Sequence, residues 1–256
     1  MKGRLVPTTD LFKVWLQPVP AGPRGIRLYD ERPGARKIGL VRLKKLLAEH
    51  FVGEATVAKA GGYAKSAKII LNSLPTLKRT QSGDLAELIA TEYVNSETSF
   101  RVLINKLRWK SDRQMPMHGN DVIAVDTTAL PTRVLKGECK SRGKLSDSVV
   151  AEAAETLDSH GGRPNPSTLA FITKRLYEEN RDDEAAILRD LQCDGALLSK
   201  NIVHCIFALA GNDPTKALGS APKPKQAGIR REGVGVTIPD HGGFVEAVFA
   251  TYGARS

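Results

Sequence analysis

The sequence has few of the residues from which covalent or metal-bound frameworks are built. Only three of its 256 residues are cysteines, at positions 139, 193 and 205, and no CxxC pair occurs. An odd number of widely spaced cysteines argues against a disulfide framework or a zinc knuckle and is typical of a reducing compartment. We therefore expect a cytoplasmic protein.

Long apolar runs are also missing. Hydrophobic residues make up 41% of the chain, but no run approaches the ~18 residues that a membrane helix needs. Met1 is not followed by a basic and then apolar leader. We expect neither export nor a membrane partner. The length suits one α/β domain with an appendage, or two small domains.

Acidic residues are scarce only in the first part of the chain. Residues 1–80 hold sixteen Lys and Arg against five Asp and Glu, whereas residues 81–256 hold twenty-two against twenty-three. The whole surplus of the net charge of +10 is therefore N-terminal. Such a segment attracts phosphate backbones without regard to sequence. The alternatives are a solvated helical face and a surface that docks an acidic partner.

Apolar positions recur at near-helical spacing from Ile38 to Phe51, and a second helical stretch follows the GGY break at 61–63 and reaches Leu74. These patterns predict two basic helices. Pro, Thr, Ser and Gly then cluster between residues 74 and 83, where the charge balance also changes. We predict a basic, mainly helical N-terminal region over 1–80 and a second domain over 81–256.

The second domain alternates between helical and strand patterns. Helices flanking a mixed sheet make an α/β fold the expectation. The predicted helices cover residues 84–94, 147–158, 167–192 with a break at EENRDDE, and a stretch that begins at 244; the predicted strands cover 100–109, 204–211 and 234–238.

Residues 121–126 (DVIAVD) and 134–140 (VLKGECK) are two further strand patterns, joined by a loop that contains proline. If they pair as an antiparallel hairpin, Asp121 falls opposite Glu138 or Cys139. Side chains alternate along a strand, so Glu138 and Lys140 share one face while Cys139 points toward the core. The pairing predicts that two acids and a lysine converge.

Facing carboxylates can hold a hard cation such as Mg²⁺, with the backbone carbonyl of Cys139 as a further ligand. Lys140 could then orient a water, or help to remove its proton if its pKa is lowered. This combination is typical of phosphodiester hydrolysis. The alternative is an acid that ends a strand beside a solvated Glu138–Lys140 pair. Residues 138–140 are the only acid-x-Lys in the chain.

Asp121, Glu138 and Lys140, preceded by a helix with Glu87, resemble the PD-(D/E)xK nuclease superfamily, although Asn120 stands where the family has proline. More narrowly, residues 83–94, 106–126 and 134–142 are similar to HamA, the nuclease subunit of Hachiman anti-phage defence systems. The resemblance implies a restriction-endonuclease-like core and a metal-dependent DNA nuclease that uses Mg²⁺, with Mn²⁺ as the substitute. It also implies an ATP-dependent helicase partner that restrains the nuclease.

By this resemblance the catalytic residues are Asp121, Glu138 and Lys140, and the metal ligands are Asp121, Glu138, Glu87 and Cys139. The apolar stripe of the preceding helix instead puts Glu92 on the buried face and Glu87 nearly opposite, so Glu92 is the alternative helix acid. Two other functions stay open. One is a non-catalytic nucleic-acid-binding or adaptor subunit on the same fold, and the other is a metal-dependent RNase.

Overall fold

A computed structural model describes residues 11–20, 22–23, 25–117, 119–129, 131–193, 197–250 and 252. Its strands are β1 (Leu16–Pro18), β2 (Ile26–Glu31), β3 (Arg101–Val102), β4 (Val122–Asp126), β5 (Arg133–Arg142), β6 (Ile202–Ala210) and β7 (Arg230–Thr237). Its helices are α1 (Leu11–Val14), α2 (Arg36–Phe51), α3 (Glu54–Lys59), α4 (Tyr63–Ser73), α5 (Lys78–Glu97), α6 (Asp147–Asp158), α7 (Pro166–Glu178), α8 (Asp182–Asp190), α9 (Thr215–Gly219) and α10 (His241–Ala250).

The described strands form one mixed sheet in the order β1-β2-β7-β6-β5-β4-β3. The pairs β2/β7, β7/β6 and β6/β5 are parallel. The pairs β1/β2, β5/β4 and β4/β3 are antiparallel. The central strand β6 is buried at every position, as a parallel strand is when helices cover a sheet from both sides. The predicted α/β class with a mixed sheet flanked by helices is confirmed.

Hydrophobic side chains sort to the two faces of the sheet by the alternation of each strand. One face packs against α1, α2, α5 and α10 in a cluster that includes Leu135, Phe207 and Val236. The other face packs against α7 and α8 near β4, and against α6 and α9 near β6 and β7. Helix α5 therefore lies across β5 on one side of the sheet and α6 lies across it on the other.

The predicted hairpin is confirmed with its register. β4 and β5 pair antiparallel, with Val122 opposite Gly137 and Asp126 opposite Arg133. The next pair in this register is Asp121 and Glu138, which the sequence pattern predicted. A Cβ at Gly137 would come 2.9 Å from the Cβ of Val122, so glycine lets the two strands approach beside Glu138.

The two predicted N-terminal helices are present as α2 and α4, with α3 between them. The sequence patterns missed β1 and β2, which extend the sheet through the parallel pairing of β2 with β7. The segment 74–83, expected to contain the boundary, is helical from Lys78 because it begins α5. The division at residue 80 thus marks a change of charge, and as a domain boundary it stays a prediction.

The expected strand over 100–109 is mostly wrong. Only Arg101–Val102 pair with β4, and Lys106–Trp109 form a 3₁₀ turn. In the part of the chain that the structure describes, every helix is too short or too polar to cross a membrane.

Candidate functional site

Asp121 immediately precedes β4, and its carboxylate reaches across to β5. Its Oδ2 accepts a hydrogen bond from the backbone N–H of Cys139 at 2.8 Å. This bond fixes the carboxylate beside Glu138, the residue opposite Asp121 in the register. Asp121 therefore approaches β5 across the strands, as the sequence predicted, and the contact is a hydrogen bond from the main chain of β5 to the Asp121 side chain.

Glu138 and Lys140 project from the same face of β5, as the alternation predicted. Lys140 Nζ lies 3.0 Å from Glu138 Oε1 and 2.9 Å from Glu152 Oε1 on α6. Glu138 is 8% exposed, so its pairing with Lys140 is not the solvated surface pair considered as the alternative. Cys139 points the other way and packs against the cluster under α5.

Asn120 holds Asp121 in place from the preceding position, where the resembling family has proline. Asn120 is 2% exposed. Its N–H donates to Thr168 Oγ1 at 3.1 Å, and its Oδ1 accepts from the N–H of Asn165 at 2.7 Å. Its carbonyl accepts from Lys106 Nζ. These bonds anchor the residue before Asp121 to the start of α7 and to the 3₁₀ turn.

Helix α5 contributes two acids, one turn apart, to the same region. Glu87 is half-buried, and the charge of Asp121 contributes to a raised pKa of its carboxyl group. Asp84 is 6% exposed and pairs with Lys110 Nζ at 2.8 Å. The sequence patterns missed Asp84, Lys106 and Lys110. For Asp84 the available signal was its place three residues before Glu87 on the same helix.

Glu92 does not reach this region. Its Oε1 lies 2.9 Å from Nε2 of His50, so it joins α5 to α2 on the far side of the helix. The expectation from the apolar stripe, which pressed Glu92 toward the sheet, was wrong. The stripe misled because α5 is buried on several sides, with Asp84 and Thr91 among its buried residues.

Burial and the charge of Asp121 raise the pKa values of the neighbouring glutamates. Burial, followed by the charge of Asp121, raises the pKa of Glu138 to about 7, although Lys140 opposes the rise. Burial also raises the pKa of Glu87 to about 8, with Lys106 opposing and Asp121 and Asp84 adding to the rise. The pKa of Asp121 is raised by burial against its hydrogen bond from Cys139. A cluster of this kind binds protons or cations more strongly than separate acids do.

Lys140 responds in the opposite way to the cluster. Burial lowers its pKa, but the hydrogen bonds and charges of Glu152 and Glu138 outweigh burial and leave the pKa raised. A lysine whose pKa is raised stays protonated. In the metal-free protein the ammonium group of Lys140 is therefore suited to orienting water and to offsetting negative charge.

The donor atoms suit a hard divalent cation because they are carboxylate and carbonyl oxygens. Among the residues that the structure describes, however, no three His, Cys, Asp or Glu side chains form a group that could hold a metal ion. Asp121 and Glu138 meet across the strands, while Glu87 stands on α5. The carboxylate oxygens of Asp121 and Glu138 are the type of donor that Mg²⁺ and Mn²⁺ prefer.

Comparison with known proteins identifies the family. A sequence model of the HamA family matches residues 22–251. The Hachiman protein HamA of Bacillus cereus is 30% identical over 148 residues, which are 58% of this chain and 51% of that protein. The match thus spans about half the length of that relative. Because the family match covers β2 to α10, with every candidate site residue inside it, the chain belongs to the HamA family.

Proposed function

We propose that the chain is a metal-dependent DNA nuclease of the PD-(D/E)xK type. The observation that carries the proposal is the arrangement at the start of β4, where Asp121 is bonded to the backbone beside Glu138 and Glu138 is paired with Lys140. A buried Glu138, a half-buried Asp121 and a lysine two positions after Glu138 match the requirements of phosphodiester hydrolysis. These two contacts are not those of a solvated surface, because burial raises the pKa of both Asp121 and Glu138.

Asp121 and Glu138 would hold Mg²⁺ or Mn²⁺, with the carbonyl of Cys139 and the carboxylate of Glu87 as further donors. A bound ion supplies activation of the attacking water and neutralisation of charge on the phosphodiester. Lys140 donates hydrogen bonds from the side of Glu138, so it orients the water and stabilises the negative charge that develops on phosphate oxygens. Its other partner, Glu152, keeps the ammonium group at this position.

The substrate proposal rests on charge. Lys59, Lys65 and Lys68 are exposed on α3 and α4, in the region that carries the basic surplus. Lysines there attract the phosphate backbone of duplex DNA without base readout. RNA offers the same backbone charge, so a metal-dependent RNase is the variant of this proposal that a substrate comparison tests.

A second candidate is a non-catalytic nucleic-acid-binding or adaptor subunit on the same fold. One observation favours it, namely that the described ranges contain no ready group of three metal-ligating side chains. Under this candidate the charge cluster at β4 and β5 is structural, and divalent ions change neither DNA nor protein stability.

The proposed biological role follows the family. We propose that the chain is a cytoplasmic effector of anti-phage defence, because it belongs to the HamA family and resembles a Hachiman protein. Its partner is an ATP-dependent helicase that binds the nuclease and restrains it until DNA is engaged. Coexpression with such a helicase should give a complex in which plasmid cleavage depends on ATP and DNA. Elution of the two chains apart would contradict the partner.

The nuclease proposal is tested with supercoiled plasmid and a matched RNA, each with Mg²⁺ or EDTA. We expect the wild type to nick plasmid with Mg²⁺ alone, and Glu138→Ala and Lys140→Ala to lose nicking while keeping the wild-type circular dichroism spectrum. Glu155→Ala is the control, because it removes an exposed acid of α6. Undiminished nicking by Glu138→Ala would overturn the assignment and favour the adaptor.

A further inference from the structure

The first turns of α5 and α10 line an open cavity of about 300 Å³. Lys78, Arg79 and Ser82 line it from α5, and His241 and Glu246 line it from α10. Its volume is at the lower end of the range for sites that hold small ligands. The proposed chemistry at β4 and β5 uses none of these five residues, so the cavity needs an explanation of its own.

A chain of hydrogen bonds joins the cavity to the strand that carries Lys140. Ser141, the next residue of β5, is buried, and its Oγ accepts a hydrogen bond from Ser82 Oγ at 2.8 Å. The same Ser141 oxygen lies 2.8 Å from Nε2 of His241. On α5, Ser82 comes five residues before Glu87, which is about 7.5 Å along the helix axis. The cavity therefore lies beside the proposed site.

This chain leaves His241 with a donor that has no acceptor. Because the hydroxyl of Ser82 donates to Ser141, the hydroxyl of Ser141 can donate onward to Nε2 of His241. Burial and the charge of Arg142 lower the pKa of His241, so the ring is neutral at neutral pH. A neutral ring whose Nε2 accepts carries its hydrogen on Nδ1. His241 is 7% exposed, and among the described residues its Nδ1 has no partner. An acceptor inside the cavity would satisfy this donor.

The α5 side of the cavity favours an anion. The first turn of α5 contains no acidic residue, and no side chain caps it, so the positive end of a 20-residue helix is not neutralised there. Arg79 lies in this turn and is exposed. Lys140 lowers the pKa of Glu152, and the charges of Arg142 and Arg79 add to this effect. Positive charge thus extends from the cavity to the partner of Lys140.

Two acids stand on the α10 side, and both already have partners. Glu246 lies 3.4 Å from Lys78, but the two side chains are 68% and 84% exposed, and such a pair contributes little. Asp240 accepts a hydrogen bond from the N–H of Gly243 at the start of α10. An anion that enters the cavity can therefore take Lys78 from Glu246 at small cost.

We propose that this cavity binds a phosphate group of the nucleic acid, next along the strand to the phosphodiester that is cut. The phosphate oxygens accept from Nδ1 of His241 and pair with Arg79. The inference rests on the proposed function for the position of the cut bond. By holding a second phosphate of the same strand, the cavity fixes the strand relative to Lys140. Backbone phosphates and strand-end phosphates share this chemistry, and the experiment distinguishes them.

Fluorescence anisotropy in EDTA measures the affinity of the full chain for a short duplex with 5′-hydroxyl ends and for the same duplex with 5′-phosphate ends. His241→Gln is the informative variant, because its amide can still accept from Ser141 while the Nδ1 donor is lost. We expect the affinity to fall by at least ~10-fold, as for a hydrogen bond to a charged group. The slope of log K against log salt should not change, because no charge is removed.

Arg79→Gln does remove a charge, so it should lower the affinity and make the slope shallower by ~0.9. Arg189→Gln, at an exposed arginine of α8, is the matched control and should keep the wild-type affinity and slope. A loss confined to the 5′-phosphorylated duplex would show that the cavity holds a strand end. An equal loss with both duplexes would show that it holds a backbone phosphate.

Wild-type affinity of His241→Gln for both duplexes would overturn the inference. If His241→Gln does not fold, Arg79→Gln decides, and an affinity and slope equal to those of Arg189→Gln would overturn it. Plasmid nicking by a wild type whose affinity does not depend on His241 would leave the nuclease proposal intact. An affinity that depends on His241 in a chain that does not nick plasmid would instead overturn the nuclease proposal.

Discussion

Lys140 Nζ lies 3.0 Å from Glu138 Oε1 on its own strand. The same ammonium group donates at 2.9 Å to Glu152, but the two glutamates differ in environment. The side chain of Glu138 is 10% exposed and that of Glu152 is 63% exposed. Lys140 thus pairs with one buried glutamate and one exposed glutamate. We expect the two ion pairs to contribute differently to activity.

Replacing each partner of Lys140 in turn measures what each contributes to plasmid nicking. Glu138→Gln removes a proposed metal ligand, and we expect plasmid nicking to fall by at least ~10²-fold, the usual loss for a group that stabilises transition-state charge. Glu152→Gln removes an exposed partner worth about 0–1 kcal/mol, so nicking should fall by less than about fivefold. The comparison is made by initial rates of nicking at saturating Mg²⁺. Equal losses in the two variants would contradict the distinction.

The stability of the metal-free protein should depend on pH through Glu87. Its pKa is raised by burial to about 8 in the folded protein, whereas the unfolded value is about 4.3. Between these values the folded state binds the extra proton, so the free energy of unfolding falls as pH rises. Glu87→Gln removes this dependence. We therefore expect the variant to gain stability relative to the wild type as pH rises from 5 toward about 8.

Urea denaturation in EDTA across that range measures the difference. The matched control is Glu155→Gln, since Glu155 is an exposed acid of α6. Parallel curves for wild type and Glu87→Gln would show that Glu87 titrates normally. Addition of Mg²⁺ at the upper end should restore part of the lost stability of the wild type, because an ion that binds only the folded state stabilises it.

The exposed lysines of α3 and α4 should contribute to DNA affinity through counterion release. Replacing Lys59, Lys65 and Lys68 with Gln removes three charges, so we expect the slope of log K against log salt to become shallower by up to ~2.7. The control replaces Lys216, Lys223 and Lys225, which are also exposed and lie near α9. Fluorescence anisotropy with duplex DNA and without divalent ions gives both slopes. Equal slopes for the two triple variants would mean that the N-terminal surplus has another use.

Lys136 should be important for stability although it is not one of the proposed catalytic residues. It is fully buried, and its Nζ donates to the carbonyls of Leu157 at 2.8 Å, Ser159 at 3.0 Å and Arg163 at 2.9 Å. Lys136→Met leaves these carbonyls without their donor, so we expect a loss of about 3 kcal/mol in the free energy of unfolding. Lys174→Met, at an exposed site, should change it by less than about 0.5 kcal/mol in the same urea titration.

The hairpin of β4 and β5 could be predicted because its two strands are close in sequence. The short loop limits the register to two choices, and the one that occurs pairs Val122 with Gly137 and so brings Asp121 to the level of Glu138. The helices that carry a clear apolar period were also predictable. The position of Glu87 beside Asp121 came from the resemblance, since the apolar pattern of α5 alone favoured Glu92.

Other parts depend on contacts that no local pattern contains. The strand β2 is short and finds its partner β7 through tertiary structure only. The segment 100–109 is rich in apolar residues, which suggested a strand, but it uses Phe100 and Leu107 to fill the core while Lys106 turns inward. A buried lysine is recognisable only when its partner is known, and Asp84 and Asn120 are supplied by distant segments.

The parallel pairing of β2 with β7 sets the order in which strands can join the sheet during synthesis. A chain is made from its N-terminus, so β4 and β5 can pair as soon as the residues of their own hairpin have left the ribosome. β2 must wait until about 200 further residues have been made, because Ile26 pairs with Gly233. A nascent chain that stops before residue 230 lacks the strand between β6 and β2, so β2 cannot join the sheet. The acids of the proposed site thus meet early, whereas the sheet that carries them is completed late.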